Sequence, residues 1–571
     1  FRPFYFSRVA IDPEDENRVY LPGWDLAISD DGGKTFRRSG SERVHVDFHA
    51  IVVNPVDTNQ ILVGNDGGIY VSHDRAKTWD YLRHIAVGQF YEIAVDQSDP
   101  YRIAGGMQDN GSWIGPSETF HFTEDTGKDG ILSKDWEMIG GGDGFTVAFD
   151  PEDPNLVYTT SQGGALVRTR LDNHLKKFIR PSPREGEPRF RFNWNAPFLV
   201  SRHDPSVLYQ GGNILFKLVE RGDRWFAVSG DLTRNEPGRT DVVGSAAEAY
   251  GTLTSLAESP LKQGLLWTGS DDGAVHVTAD EGRTWKDVTP EDLGGLYVSS
   301  IVASGHDPSA AYLAADGHRS DDFRPLAWKT ADMGKSWVSI AGDLPQGKVI
   351  NELIEDPDNP DVLYAGTEFG LYITVNGGRN WVRMNGKKLP PVAVDDLGIH
   401  PRERDLVLGT HGRSAWGLDD ASFLSRLTPE LMAKSLALFP PMPGKPRQFS
   451  MRSYGAGHGL FRAQNPPLGT AINFWVSEAA GEPFSLTIDN PEGFTIRELS
   501  GVTRRGVNRI VWDMQADKKH RFDGPDQSQV GQKNFVPAGE YKLRLKVGDD
   551  TAEGSVTILP APEWESPASG S

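Results

Sequence analysis

An all-β fold, a multi-bladed β-propeller followed by a small β-sandwich, is what this sequence predicts, and three observations predict it. The first is a repeated turn. The stretch 29–36 (SDDGGKTF) recurs as 72–79 (SHDRAKTW), 278–285 (TADEGRTW), 330–337 (TADMGKSW) and, in decayed form, 374–381 (TVNGGRNW). Its Ser/Thr and Asp/Asn side chains bond the local backbone, Gly takes a positive-φ position, and the final aromatic packs back into the core. The second is a phrase made of an apolar residue, a polar turn that usually holds Pro, and an apolar strand. Nine copies end near Tyr20, Leu62, Ala104, Tyr158, Tyr209, Trp267, Tyr312, Tyr364 and Leu408, a mean period of about 48 residues, in the range of propeller blades. The third is the grain within each period: three or four short β-rich runs between Gly, Asp and Pro turns, with no amphipathic stretch long enough for a helical solenoid.

Nine units lie between about residues 4 and 428. The seven from Gln89 to Asp420 can close a seven-bladed ring (88–428), leaving 1–87 as two blades of an N-terminally truncated propeller; alternatively, all nine belong to one larger ring. Beyond Ser422 the grammar changes. Residues 423–437 read as a short helix, and the Pro-rich 429–444 as a linker. Alternating runs such as 509–513 and 537–545 give a sandwich of the immunoglobulin or fibronectin kind over 445–560. The polar tail 561–571 is expected to be disordered. The chain begins at Phe1 without Met and inside a strand pattern, so a processed or partial product is expected, with any signal peptide out of view.

At 571 residues the chain exceeds one compact core. A net charge of −20 opposes nucleic-acid binding, which needs a basic surface. The absence of cysteine excludes disulfides, thiolate metal sites and a Cys nucleophile. No apolar run approaches the roughly 18 residues of a membrane span.

The aromatic-ended turns resemble the Asp-box, or BNR, repeats of sialidases, family 74 xyloglucanases and the Vps10 domain of sortilin. The phrases 64–70 (GNDGGIY), 106–113 (GMQDNGSW), 140–145 (GGGDGF), 321–325 (DDFRP), 365–370 (AGTEFG) and 410–414 (THGRS) are similar to bacterial sortilin-like, glycosyl-hydrolase-related proteins. The C-terminal part is similar to the FlgD-like or fibronectin-like modules that follow such propellers. The resemblance implies a secreted, periplasmic or cell-surface bacterial protein. It also implies that the Asp-box acids, read here as Asp30, Asp74, Asp280 and Asp332, are structural. Family 74 enzymes carry a catalytic Asp in a phrase like Thr-Asp-x-Gly-Gly, and the segment resembling that blade reads Thr160-Ser161-Gln162-Gly163-Gly164. Ser161 replaces the acid, which counts against xyloglucanase activity.

Acids do occupy the equivalent place in other blades: Asp109, Asp271 and Glu368. If the blades close a ring these converge on its channel as candidate glycosidase carboxylates, or they simply cap turns there. Alternation in His45-x-Asp47-x-His49 puts three side chains on one face of a strand, a candidate metal site lacking a local fourth ligand. Acidic turns offer the oxygens that Ca²⁺ wants, without EF-hand spacing, so Ca²⁺ is the one cofactor left open. Arg319, Arg324 and Arg413 could clamp a carboxylate as sialidases do. Ligand-binding candidates are Trp113, Arg319, Arg413 and His411. Long insertions at 113–136 and 230–251 suit recognition on a rigid scaffold. Neither a Gly-x-Ser-x-Gly elbow nor His-Glu-x-x-His occurs. Two functions follow: a recognition or scaffolding propeller that binds protein, peptide or glycan, or a glycoside hydrolase acting on extracellular polysaccharide.

Overall fold

A computed structural model describes residues 5–39, 43–119, 121–122, 130–240, 249–384, 388–447, 450–451, 459–478, 481–517 and 535–560. The expected disordered tail lies outside these residues. Nine antiparallel meanders succeed one another, at 10–38, 48–81, 90–140, 147–178, 198–227, 253–287, 297–339, 350–383 and 394–418. Each has four strands except the last, which has three. Burial explains their composition. The second strand of a blade is covered on both faces by its neighbours, so Leu363–Thr367, Leu406–Thr410 and Leu266–Ser270 are buried at every position. Outer strands such as Lys286–Asp287 and Val338–Ser339 are two residues long and exposed, which blunts the blade edge.

The last seven blades close a ring. Phe90–Val95, the inner strand of the first, packs beside Val394–Ile399, the inner strand of the last. Across that seam Ile93 N–H donates to Asp396 Oδ2 at 2.6 Å, and Tyr101 Oη donates to Asp405 Oδ2 at 2.9 Å. His400 Nε2 donates to the Asp96 carbonyl at 2.9 Å while its ring stacks on Tyr101. Among the described residues no strand from elsewhere completes the last blade. Its outer edge packs against Phe423, Leu424 and Leu427, and these against Phe439, Trp475 and Val507 of the C-terminal module.

The two leading blades share a core of Tyr20, Leu26, Ile28, Phe48, Ile61, Val63 and Tyr70. Their other faces are open: Val9, Ile11, Trp24 and Phe36 on one blade, and Val52, Leu62, Ile69 and Tyr81 on the other, are exposed.

The repeated turn joins the third and fourth strands of a blade, and its acid is fixed by geometry. In 72–79, Ser72 Oγ donates to Asp74 and accepts from Ala76 N–H, while Asp74 accepts from the N–H and hydroxyl of Thr78. In the first copy the same bonds converge on Asp31. The structural acid there is therefore Asp31 rather than Asp30, which instead pairs with Arg18 and Arg37. Adjacent aspartates make the register ambiguous in sequence. The terminal aromatic reaches the preceding blade: Trp285, Trp337 and Trp381 donate Nε1–H to the carbonyls of Val228, Val288 and Ile340 at 2.7–2.9 Å.

The helix expected over 423–437 is one turn, Pro429–Met432, after a 3₁₀ turn at Leu424–Arg426. Leu436–Leu438, inside the expected linker, is already a strand of the sandwich. One sheet of that sandwich holds Leu436–Leu438, Thr470–Val476 and Gly506–Trp512, and the other Pro483–Asp489, Thr495–Val502, Gly539–Val547 and Asp550–Ile558. Ile472, Phe474, Trp512, Leu486, Leu543 and Leu545 fill the space between them. The insertion expected to carry recognition at 113–136 is engaged internally. His121–Phe122 pairs with Ser450–Met451, Ile131–Leu132 pairs with Arg462–Ala463, and Thr119 N–H donates to Asn465 Oδ1. The second insertion is described as far as 240 and from 249.

Candidate functional site

The turns between second and third strands lie on one face of the ring, around the mouth of its channel. They carry Asp109, Asp271, His318 with Arg319, Glu368, and His411 with Arg413. The inner strands supply the rest of the mouth through a recurring irregularity. Six inner strands have one unpaired extra residue: His49, Tyr91, Thr254, Ser299, Asn351 and Asp395. Such bulges re-aim a side chain. Three of them clamp the next blade, with Thr254, Ser299 and Asn351 donating to the carbonyls of Val298, Ile350 and Val394. Asp395, the next in the series, lies 3.1 Å from His411 Nδ1.

Deeper in the channel stand three enclosed carboxyls, Glu92, Glu352 and Asp396. Asn195 donates to Glu92 and Ser300 to Glu352, while Asp396 accepts the amides of Ile93 and Leu397. Burial pushes all three carboxyls up, and mutual repulsion adds to this for Glu352 and Asp396. Sequence reasoning missed this trio. Its only signal is an acid at the same inner-strand place in three blades.

The candidate acids fare differently. Asp271 accepts from Gly251 N–H, Thr252 N–H and the Thr252 hydroxyl, tying down the loop before its own blade. Burial raises its carboxyl to about 6. With its oxygens committed inside the fold, it is a structural acceptor. Asp109 sits in a tight turn at φ 57° where the leading blades meet the ring. His45 Nε2 donates to the Asp109 carbonyl, and Asn110 Nδ2 donates to the Asp66 carbonyl, both across the junction. Carboxylate oxygens of Asp47, Asp66 and Asp109 lie within 4.8 Å of one another. Behind them Asp143 accepts Asp109 N–H at 2.9 Å, its own carboxyl raised by burial and by Asp109. Asp66 fills the same turn position in its blade as Asp109 does, which is the signal that could have found it.

The expected His45–Asp47–His49 face does not form. The strand begins at Phe48, and Asp47 is left-handed at φ 60°, so alternation fails. His45 turns to Asp109, while His49 Nε2 lies 2.8 Å from Asp66 Oδ1 beneath the rings of Tyr5 and Phe6. Only Asp47 of the three joins the acidic group.

Glu368 is half-buried and, among the described residues, its carboxylate accepts no hydrogen bond. Burial pushes its carboxyl up, and Asp395 and Asp316 add to this, while His318 and His411 pull it down. Both imidazoles are oriented through Nδ1, His318 by Asp316 at 2.6 Å and His411 by Asp395. The bond to Asp395 raises the His411 pKa. Arg319 lies over the Tyr297 ring at 5.4 Å, Arg324 pairs with Asp322, and the exposed Arg413 bonds only its own turn. The three arginines therefore make no common clamp. Trp113 is half-covered, its Nε1–H held by the Asn110 carbonyl.

No family model matches the chain. Among curated proteins it is similar to a probable oligoxyloglucan-reducing end-specific xyloglucanase of Neosartorya fischeri. The identity is 23% over 405 residues, covering 64% of this chain and 43% of that protein. It is also similar to the oligoxyloglucan-reducing end-specific xyloglucanase of Emericella nidulans, 21% identical over 407 residues, covering 64% and 44%. The chain thus spans less than half the length of these relatives. Similar solved structures include the GH74 enzyme of Niastella koreensis (15% identity, 82% of this chain and 73% of that one, TM-score 0.26). Another is PorZ of the type-IX secretion system of Porphyromonas gingivalis (12%, 97% and 86%, TM-score 0.35). Similarity at this level carries no residue role across. Among the described residues no helix is long and apolar enough to cross a membrane.

Proposed function

We propose that this chain is a glycoside hydrolase acting on an extracellular polysaccharide, with its reaction at the junction between the leading blades and the ring. The observation that carries this reading is the approach of Asp66 and Asp109, from opposite sides of that junction, to within 4.8 Å. Glycoside hydrolysis asks for two carboxyls that flank the scissile bond, one giving a proton and one ionised. Asp109 is held from behind through its amide by Asp143, and Asp66 through its carboxylate by His49, so both are oriented. The similarity to xyloglucanases supports a β-linked glucan or a branched relative of it as the substrate class. A substrate of that size lies outside the cytoplasm, in line with a secreted, periplasmic or cell-surface protein. The sortilin-like resemblance of the repeats, and a protein or peptide ligand, belong to the recognition reading, which no single contact in the structure favours.

The test is release of reducing ends from xyloglucan oligosaccharides and a panel of β-glucans. Asp109→Asn and Asp66→Asn are each expected to lower kcat at least ~100-fold, the usual weight of a positioned acid or base. Turnover absent in the wild type, or unchanged in both variants, overturns the hydrolase reading and leaves a binding protein.

A further inference from the structure

Compared turn by turn, the ring mouth is asymmetric. On blades three and four the polar groups at the mouth are consumed by the fold: Asn213 bonds Arg191 and Asp231, and Asp271 carries the 251–252 loop. On blades five to seven they are oriented but unspent. His318 and His411 are each fixed through Nδ1 by a carboxylate, and no described residue takes up either Nε2. Glu368 stands between them, half-buried and unpartnered. Next to it, Phe369 is 49% exposed at the tip of its turn. Lys348 Nζ sits 4.4 Å from the centroid of that ring and steadies it.

An aromatic ring that is steadied yet exposed, beside carboxylate and imidazole groups with free hydrogen-bonding atoms, matches the chemistry of a pyranose. The sugar's C–H face stacks on the ring, and its equatorial hydroxyls bridge the polar atoms. We infer that blades five to seven of the ring form a sugar-binding subsite, with Phe369 as the stacking platform and Glu368, His318 and His411 as hydroxyl-reading groups. The ligand class is a neutral β-linked oligosaccharide. A strongly anionic sugar would meet Asp316, Glu368 and Asp395 together. This deepens the hydrolase reading and rests on it only for the choice of ligand class, since the subsite is built from residues remote in sequence from Asp66 and Asp109.

Calorimetric binding of xyloglucan-derived and cello-oligosaccharides to the full chain tests it, with hydrolysis blocked by Asp109→Asn. Phe369→Ala and Glu368→Gln, each placed on that background, are expected to weaken binding at least 10-fold, and Phe369→Trp to restore it. Phe369 is exposed, so its removal leaves the thermal unfolding midpoint in place and separates lost binding from lost folding. Undiminished affinity in both variants overturns the subsite while leaving the hydrolase standing. Binding that depends on Phe369 in a protein that hydrolyses nothing supports the subsite and sinks the hydrolase. Failure of every oligosaccharide to bind overturns the subsite.

Discussion

The ring and the two leading blades are written in the same repeat, yet one closes and the other stays open. In the ring the last blade meets the first through Ile93–Asp396, Tyr101–Asp405 and His400–Asp96. In the pair one shared core forms, and the outward faces present Val9, Ile11, Trp24 and Phe36 on one side and Val52, Leu62 and Ile69 on the other. The repeat therefore specifies a blade and its attachment to a predecessor. Closure reuses contacts that also join neighbouring blades, since His203 and His306 bond the carbonyls of Ser259 and Asp356 as His400 bonds that of Asp96. The aromatic of the repeated turn makes the point. Trp381 is 7% exposed and bonded to the blade before it, whereas Phe36, at the same place in the first blade, is 46% exposed.

That contrast is sharpest under truncation. Trp381→Ala should destabilise the ring by about 3–5 kcal/mol, the usual cost of emptying a buried aromatic site, whereas Phe36→Ala should stay within about 0.5 kcal/mol. Urea unfolding followed by circular dichroism measures both, and equal losses would mean that the leading face is covered after all.

A middle-sized effect is expected at the seam and depends on pH. Burial, Asp419 and Glu403 push the Asp405 carboxyl up to about 7, and burial takes Asp271 to about 6. Each folded-state value lies above the ordinary 3.8, so the folded protein binds these protons more tightly than the unfolded chain. The stability they confer is complete below about pH 4 and is lost as pH rises through 6 to 7. Asp405→Asn should flatten the decline of Tm between pH 5 and pH 8. A decline of unchanged slope would shift the effect to the channel trio of Glu92, Glu352 and Asp396.

The smallest effect belongs to the exposed turns. The hydroxyl and amide of Thr78 hold the Asp74 carboxylate down to about 2. Its contribution is present above about pH 4 and disappears as pH falls through 2, opposite in sign to the seam. Asp74→Asn should lower Tm slightly at pH 7 and not at all at pH 2, as scanning calorimetry would register.

The multi-bladed all-β fold was legible because it is written in local turn chemistry that repeats. Which aspartate anchors the first turn was not, because Asp30 and Asp31 are neighbours and the bonds from Ser29, Lys34 and Thr35 choose between them. The site was half legible. Asp109 and Glu368 stood out by their place in the turn; Asp66 holds the same place in its blade, but its approach to Asp109 depends on a junction between units that the sequence does not orient. Asp271 looked equivalent until its bonds to 251–252 appeared. Alternation misplaced His45, Asp47 and His49 because a left-handed residue at 47 interrupts the strand.

The insertion in the first ring blade has a consequence for how the protein is made. Thr119 is held by Asn465, 346 residues later. At ~5–20 residues per second, roughly 20–70 s separate their synthesis. For most of that interval the growing chain lacks the partner of the strand at 121–122 and the last blade of the ring. A nascent chain in that condition leaves strand edges unpaired, the feature most prone to aggregation, until its far end arrives.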